Sequence, residues 1–226
     1  MAGGPYYTLV ASLPALPHFE LAKELPINPE RLRRRLGMLD DEDQQTVEIA
    51  EAFLHWQRQP IERTDAEIVR RYERIMGEAH DPTLQDLARF RLEIRTVIAA
   101  LRRRRLGRPP PEPGERWGVG RFVRRIERQW HDPDFGLAGD LPWLGEARRL
   151  MDSGEARALE ALVLKLLWEH LDRRGGLAFF GFEAVLVYLF KWDVLFRWLT
   201  YAAEPARARF DDLLEETLGD HRQLFA

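Results

Sequence analysis

The chain has 226 residues, a formal net charge of −3 and no cysteine, and 45% of its residues are hydrophobic. This length and composition are typical of a folded protein with a substantial core, and they exclude a disordered polypeptide. The lack of cysteine excludes disulfide bonds, thiolate zinc sites and cysteine nucleophiles, and the small net charge does not favour binding to nucleic acid or to an anionic membrane.

The first predicted elements are helices that begin with recognisable capping residues. Residues 6–11 fit either a strand or the start of a helix. Asp40 is a predicted N-cap for a helix that runs to about residue 58, and Thr64 with Glu67 forms a predicted capping box for the next helix.

The longest predicted helix of the first half begins at Asp81, because an aspartate followed by proline is a common helix start. It ends at Gly107. The helical period places one set of apolar side chains on its inward face, namely Leu87, Phe90, Ile94, Val97, Ile98 and Leu101.

A segment rich in proline and glycine follows, at residues 108–118, and it resists both helix and strand. We interpret it as a linker between an N-terminal helical lobe, residues 1–107, and a C-terminal helical lobe, residues 119–226. The predicted fold class is therefore all-α, and the predicted architecture is a multi-helix bundle. One possible arrangement of this bundle is two helical lobes that together form a funnel.

The second half again shows helical patterns. Predicted helices lie at 119–131, at 141–151, after Ser153 as an N-cap, at 179–201 and at 204–218. The helix at 179–201 is apolar around most of its circumference, which is typical of a buried central helix.

No stretch reaches the roughly 18 uncharged residues that a membrane-spanning helix needs, and the start lacks a secretory signal. We expect a cytoplasmic protein that does not span the membrane.

Charge is distributed unevenly along the second half. Residues 102–128 hold ten arginines and three acids, whereas residues 204–220 hold six acids and two arginines. The pattern allows a charge-complementary contact, but a solvated surface is the favoured interpretation.

Two His-Asp pairs, His80 with Asp81 and His131 with Asp132, are the best candidates for a metal-dependent hydrolase. Both pairs precede proline, as helix starts and turns often do, so the structural interpretation is favoured. Glycine-rich phosphate loops and a serine-histidine-aspartate arrangement are not found. We predict a protein with no catalytic residue, no bound metal and no cofactor.

Polar residues interrupt the apolar helix at Glu183, Lys191, Asp193 and Arg197. Asp193 and Arg197 are four positions apart and can form a structural ion pair. The alternative is a contact site for another subunit.

Three stretches carry a resemblance to a known family: YYTLVASLP at 6–14, EIRTVIAALRRR at 93–104 and GFEAVLVYLFKWDVLFRW at 181–198. The first and third resemble the start and the C-terminal block of a bacterial family of uncharacterised proteins encoded beside V/A-type rotary ATPase genes. The third is also similar to the closing helix of the C (or d) subunit of those ATPases. The second falls where that subunit has a helix ending in a basic cluster.

The resemblance implies a non-catalytic adaptor or accessory protein that links the central stalk to the membrane ring during ATP-coupled ion transport. Its partners would be other subunits of the V/A-type ATPase, which would hold it at the inner face of the cell membrane, and nucleic acid would not be a partner. The candidate partner contacts are Arg102, Arg103, Arg104, Lys191, Asp193 and Arg197. The alternative function is a cytosolic helical chaperone or assembly factor, which would bind the leader peptide of an exported enzyme.

Overall fold

The computed structural model describes residues 6–58, 65–112, 114–175 and 180–200, and every regular element within these ranges is helical. The α-helices are α1 (Tyr7–Ser12), α2 (Pro29–Leu36), α3 (Asp41–Arg58), α4 (Asp65–Glu78), α5 (Pro82–Arg105), α6 (Val123–Arg128), α7 (Leu144–Asp152), α8 (Ala156–Gly175) and α9 (182–200), and a 3-10 turn covers Phe19–Leu21. The predicted all-α, multi-helix fold class is confirmed.

Two of the predicted helix starts are confirmed by their hydrogen bonds. Oδ1 of Asp40 accepts a hydrogen bond from the backbone N–H of Asp43 at 3.0 Å, and Oδ1 of Asp81 accepts one from the N–H of Leu84 at 2.7 Å. Each aspartate thereby satisfies a donor that the first helical turn leaves without a partner. The predicted cap at Thr64 and the predicted helix at 204–218 lie outside the described residues.

The first helix resolves the ambiguity at residues 6–11 in favour of a helix. Tyr6, just before α1, is buried, and its hydroxyl, which has a single proton to donate, lies within hydrogen-bond distance of Oδ2 of Asp40 at 2.7 Å and of Oδ2 of Asp43 at 2.5 Å. These bonds join the start of α1 to the first turn of α3.

The predicted boundaries around α6 to α8 need correction. Ser153 was predicted to cap the start of α8, but it follows the last residue of α7, and its hydroxyl donates a hydrogen bond to the carbonyl of Arg149 at 3.0 Å. The helix predicted at 119–131 is shorter, at Val123–Arg128, since the residues before it lie along α5 instead of continuing the helix.

Helix α5 is the centre of the fold, since it contacts α3, α4, α7 and α8. It buries residues all along its length rather than on one narrow stripe. Helix α9 is the second strongly buried element, with Val185, Leu186, Leu189, Val194 and Leu195 almost without solvent exposure. Burying apolar surface at about 25 cal/mol per Å² makes these two helices large contributors to stability.

Among the residues that the structure describes, two hydrophobic clusters form the core. The larger cluster combines residues of α1 to α5 with residues of α8 and α9. The smaller one joins the last turns of α5 to Trp117, α6 and α7. Both clusters thus combine side chains from before and after the predicted linker at 108–118, so the two predicted lobes share their packing.

The residues that follow the predicted linker lie directly on α5. The backbone N–H of Val119 donates a hydrogen bond to Oγ1 of Thr96 at 3.0 Å, and the N–H of Arg121 donates one to Oε1 of Glu93 at 3.0 Å. Gly120 lies between them with a φ of +92°. A Cβ atom there would be 2.2 Å from Cγ of Glu93, so glycine is required both for the backbone conformation and for the close approach.

None of the helices in these described ranges combines the length and the apolar character that crossing a bilayer requires.

We predict that Gly120→Ala destabilises the protein by about 2–3 kcal/mol, because it combines a positive φ with a clash against Glu93. Urea denaturation followed by circular dichroism measures the loss. The control is Gly139→Ala, since a Cβ atom at Gly139 meets nothing within 4 Å; its effect should stay within about 0.5 kcal/mol. Equal effects of the two substitutions would contradict the requirement for glycine at position 120.

Candidate functional site

A buried ion pair connects the two central helices. Nη1 of Arg91 on α5 lies 2.8 Å from Oδ2 of Asp193 on α9, and the two side chains are 4% and 0% exposed. Burial lowers the pKa of Arg91, and the carboxylate of Asp193 acts in the opposite direction. Two charges withdrawn from water in this way stabilise a fold only when each neutralises the other.

Arg91 has donors beyond the contact with Asp193. Its Nε and Nη2 atoms are buried and have no hydrogen-bond partner within the described ranges. A guanidinium carries five N–H donors in a planar fork, so Arg91 retains capacity for a further acceptor.

A cavity of about 280 Å³ lies beside this pair. It is bounded by the start of α4, one face of α5, Trp117, α8 and α9. The lining residues are Asp65, Ile68, Arg91, Ile94, Arg95, Thr96, Ile98, Ala99, Arg102, Trp117, Glu160, Val163, Leu167 and Arg197. We call it the arginine cavity.

The charged lining of the arginine cavity is mainly basic. Arg91, Arg95 and Arg102 lie on one face of α5, at positions i, i+4 and i+11. Arg197 enters from α9, where its Nη2 atom donates a hydrogen bond to Oε1 of Glu160 on α8 at 2.7 Å. The positive charge is therefore supplied by two different helices.

Asp65 is the second carboxylate in the lining. Burial raises the pKa of Asp65, and the nearby Arg103 guanidinium opposes this shift only in part. This carboxylate is consequently held in a less favourable environment for its charge than water would provide.

The structure separates the predicted contact arginines. Arg102 is exposed and lines the arginine cavity. Arg103 forms an ion pair with Glu115, in which Nη1 of Arg103 lies 2.7 Å from Oε1 of Glu115. Arg104 donates a hydrogen bond to the carbonyl of Asp132 at 2.6 Å and stacks over the ring of Phe135. Two of the three arginines are thus engaged within the chain.

The predicted contact residues of α9 also have partners within the chain. Nζ of Lys191 lies 2.5 Å from Oδ1 of Asp172 and 4.9 Å from the ring centre of Trp168. Asp193 is fully buried against Arg91, and Arg197 is held by Glu160. The charges that interrupt this apolar helix therefore tie it to α5 and α8.

The aspartates of the two His-Asp pairs stabilise local backbone structure. Asp81 caps α5, and Oδ1 of Asp132 accepts hydrogen bonds from the N–H groups of Asp134 at 2.8 Å and Gly136 at 3.1 Å, which closes a turn. In the ranges that the structure describes, no group of three or more histidine, cysteine, aspartate or glutamate side chains is placed to hold a metal ion.

Sequence reasoning missed a second polar cluster, between α5 and α8. Nε2 of His170 lies 3.0 Å from Oδ2 of Asp86, which also accepts a hydrogen bond from Nε of Arg174 at 3.0 Å. The His170 ring stacks on Phe90, with ring centres 3.8 Å apart. Burial lowers the pKa of His170, although the bond to Asp86 opposes the shift.

Sequence reasoning also missed Arg91. The available signal was its position, since it lies in helical register with Leu87, Ile94 and Ile98 on the face predicted to point inward. An arginine in such a stripe needs an acidic partner from another element.

The sequence model of one protein family, described as "Protein of unknown function (DUF2764)", matches residues 51–217, which is well over half of the chain. The chain belongs to this family. The match spans α5, α8 and α9 and therefore both sides of the arginine cavity. No curated protein and no solved structure matches the chain.

We predict that Asp193→Ala destabilises the protein by about 3–5 kcal/mol, because it leaves the Arg91 guanidinium buried without a counter-charge. Replacing the pair together, as Arg91→Met with Asp193→Leu, should recover most of the loss. Urea denaturation of each variant measures the free energy of unfolding. As a control, Lys191→Met removes a more exposed ion pair and should cost no more than about 1 kcal/mol. A double variant as unstable as Asp193→Ala would contradict this account.

We also predict a loss of stability at mildly acidic pH through His170. Its pKa is lowered in the folded protein, so the unfolded chain binds more protons. The contribution of neutral His170 to the free energy of unfolding is fully present above the pKa of histidine in the unfolded chain, about 6.5. It is lost as the pH falls through the lower pKa of His170 in the folded protein. Thermal unfolding measured between roughly pH 7.5 and pH 5 should show a flatter pH dependence of stability in His170→Gln than in the wild type. The exposed control His80→Gln should keep the wild-type slope, and an unchanged slope in His170→Gln would refute the assignment.

Proposed function

We propose that this protein is a non-catalytic adaptor subunit or accessory protein of a V/A-type rotary ATPase, linking the central stalk to the membrane ring during ATP-coupled ion transport. The observation that carries the proposal is the position of two of the resembling segments. Residues 93–104 lie in α5 and residues 181–198 include most of α9, and both line the arginine cavity. The segments that resemble the ATPase subunit are thus the central elements of this fold.

The packing of α9 supports the proposal. Three ion pairs connect α9 to its neighbours. Lys191 and Arg197 each bind an acid on α8, and Asp193 binds Arg91 on α5. An adaptor that transmits torque requires helices that do not slide against each other, and cross-helix ion pairs combined with close packing restrict such sliding.

The end of α5 offers a surface for a partner. Arg102 and Arg105 in the last turn of α5, and Arg108 just after the helix, are exposed. Arginine is enriched in protein interfaces because its planar fork binds carboxylates with two hydrogen bonds. An acidic surface on a stalk or ring subunit is the partner chemistry that fits.

We predict that the tagged protein, captured from its native cell in mild detergent, retains subunits of a rotary ATPase that mass spectrometry identifies. Arg105→Glu combined with Arg108→Glu should reduce this recovery several-fold, because charge reversal at a rim lowers the association rate and adds repulsion. The matched control reverses two exposed arginines elsewhere, Arg31→Glu and Arg89→Glu, and should recover as much as the wild type.

Circular dichroism of each variant separates loss of binding from loss of folding. Capture without any rotary ATPase subunit would overturn the proposal. Capture of a single exported-enzyme precursor through its leader peptide would favour the chaperone alternative instead.

A further inference from the structure

We propose that two copies of this chain form a symmetric dimer through a groove between α2 and α3, in which the basic side of each copy binds the acidic side of the other. This contact goes beyond the adaptor role and does not depend on it. The observations that lead to it are the shape of the groove and the opposite charges of its two sides.

The groove has a volume of about 430 Å³. Helices α2 and α3 form its two sides, and Leu189, Trp192 and Phe196 of α9 form its floor. Leu189 and Trp192 are only 3% and 4% exposed, so the apolar floor offers little area to a partner. The charges of the two sides therefore decide which partner fits.

The side formed by α2 is basic. Residues 29–36 hold four arginines and one glutamate, and four less one gives a formal charge of +3. Arg33 lines the groove, and Arg34 next to it is exposed. Neither arginine forms an ion pair with a residue that the structure describes, so both charges are available to a partner.

The side formed by α3 is acidic. Residues 41–55 hold five acids and neither lysine nor arginine. Asp41, Glu48 and Glu51 fall on one face of the helix, at positions i, i+7 and i+10, and the last two line the groove. Within the described ranges none of these three carboxylates is in an ion pair. The two sides of the groove therefore do not neutralise each other within one copy.

A second copy of the chain is the partner that matches both sides at once. An acidic partner would be repelled by α3, and a basic partner would be repelled by α2. A two-fold axis that runs along the groove places the basic side of each copy opposite the acidic side of the other. Such an interface is self-complementary and forms every contact twice, as in most symmetric dimers.

Sedimentation velocity of the full chain at increasing protein concentration measures the association. The wild type should form dimers, and added salt should weaken them, because ions screen charges at a solvent-accessible interface. Arg33→Glu combined with Arg34→Glu should raise the dissociation constant by about tenfold or more, because like charges then face each other at both contacts. Glu48→Arg combined with Glu51→Arg should have the same effect for the same reason.

An equimolar mixture of these two double variants is the sharpest test. One variant then has acids on both sides of the groove and the other has arginines on both sides. The mixture should form a dimer that contains one copy of each, although neither variant associates with itself. The matched control Arg89→Glu combined with Arg124→Glu reverses two exposed arginines outside the groove and should associate like the wild type.

Three results would overturn the proposal. The first is a wild type that stays monomeric at every concentration; if the Arg33 and Arg34 double variant is then also less stable to heat, a segment of the same chain occupies the groove instead. The second is a species larger than a dimer, since a two-fold contact closes after two copies. The third is a mixture of the two double variants that does not associate.

Circular dichroism establishes that each variant is folded. None of these substitutions involves Arg105 or Arg108, so the outcome is separate from that of the adaptor test.

Discussion

The ion pair between Arg91 and Asp193 constrains how the two central helices pack. Both side chains are buried, and a buried charge is tolerated only opposite its partner. This requirement fixes which turn of α9 lies against which turn of α5, where apolar contacts alone would allow several registers. The position of Arg197, one turn further along α9, follows from the same register, and with it the basic lining of the arginine cavity.

Local sequence signals predicted most of the helices, because caps and helical periodicity depend on residues only a few positions apart. Asp40 and Asp81 were identified as N-caps for this reason, and both have the expected hydrogen bond. The buried helix at 179–201 was predicted from its nearly continuous apolar character, and the structure has α9 at 182–200. The N-cap predicted at Ser153 was wrong, because a serine hydroxyl can bond to either end of a helix and the local sequence does not distinguish the two.

The site could not be predicted in the same way, because its residues are distant in the sequence. Arg91 and Asp193 belong to helices in opposite halves of the chain, and no local pattern states that they meet. Arg102 and Arg197 were both selected as partner contacts, and the structure does bring them to one cavity. The segment at 108–118 resembled a spacer by composition, yet Trp117 is buried in the smaller core cluster. Tertiary packing here outweighs the preference of proline and glycine for exposed connections.

The central claim is that the ion pair between Arg91 and Asp193 holds α5 and α9 in one register. A crystal structure of the full chain tests this claim most directly. The account predicts that Arg91 lies against Asp193 and that Arg197, one turn further along α9, lies against Glu160. A structure in which Arg91 pairs with a different carboxylate would contradict it.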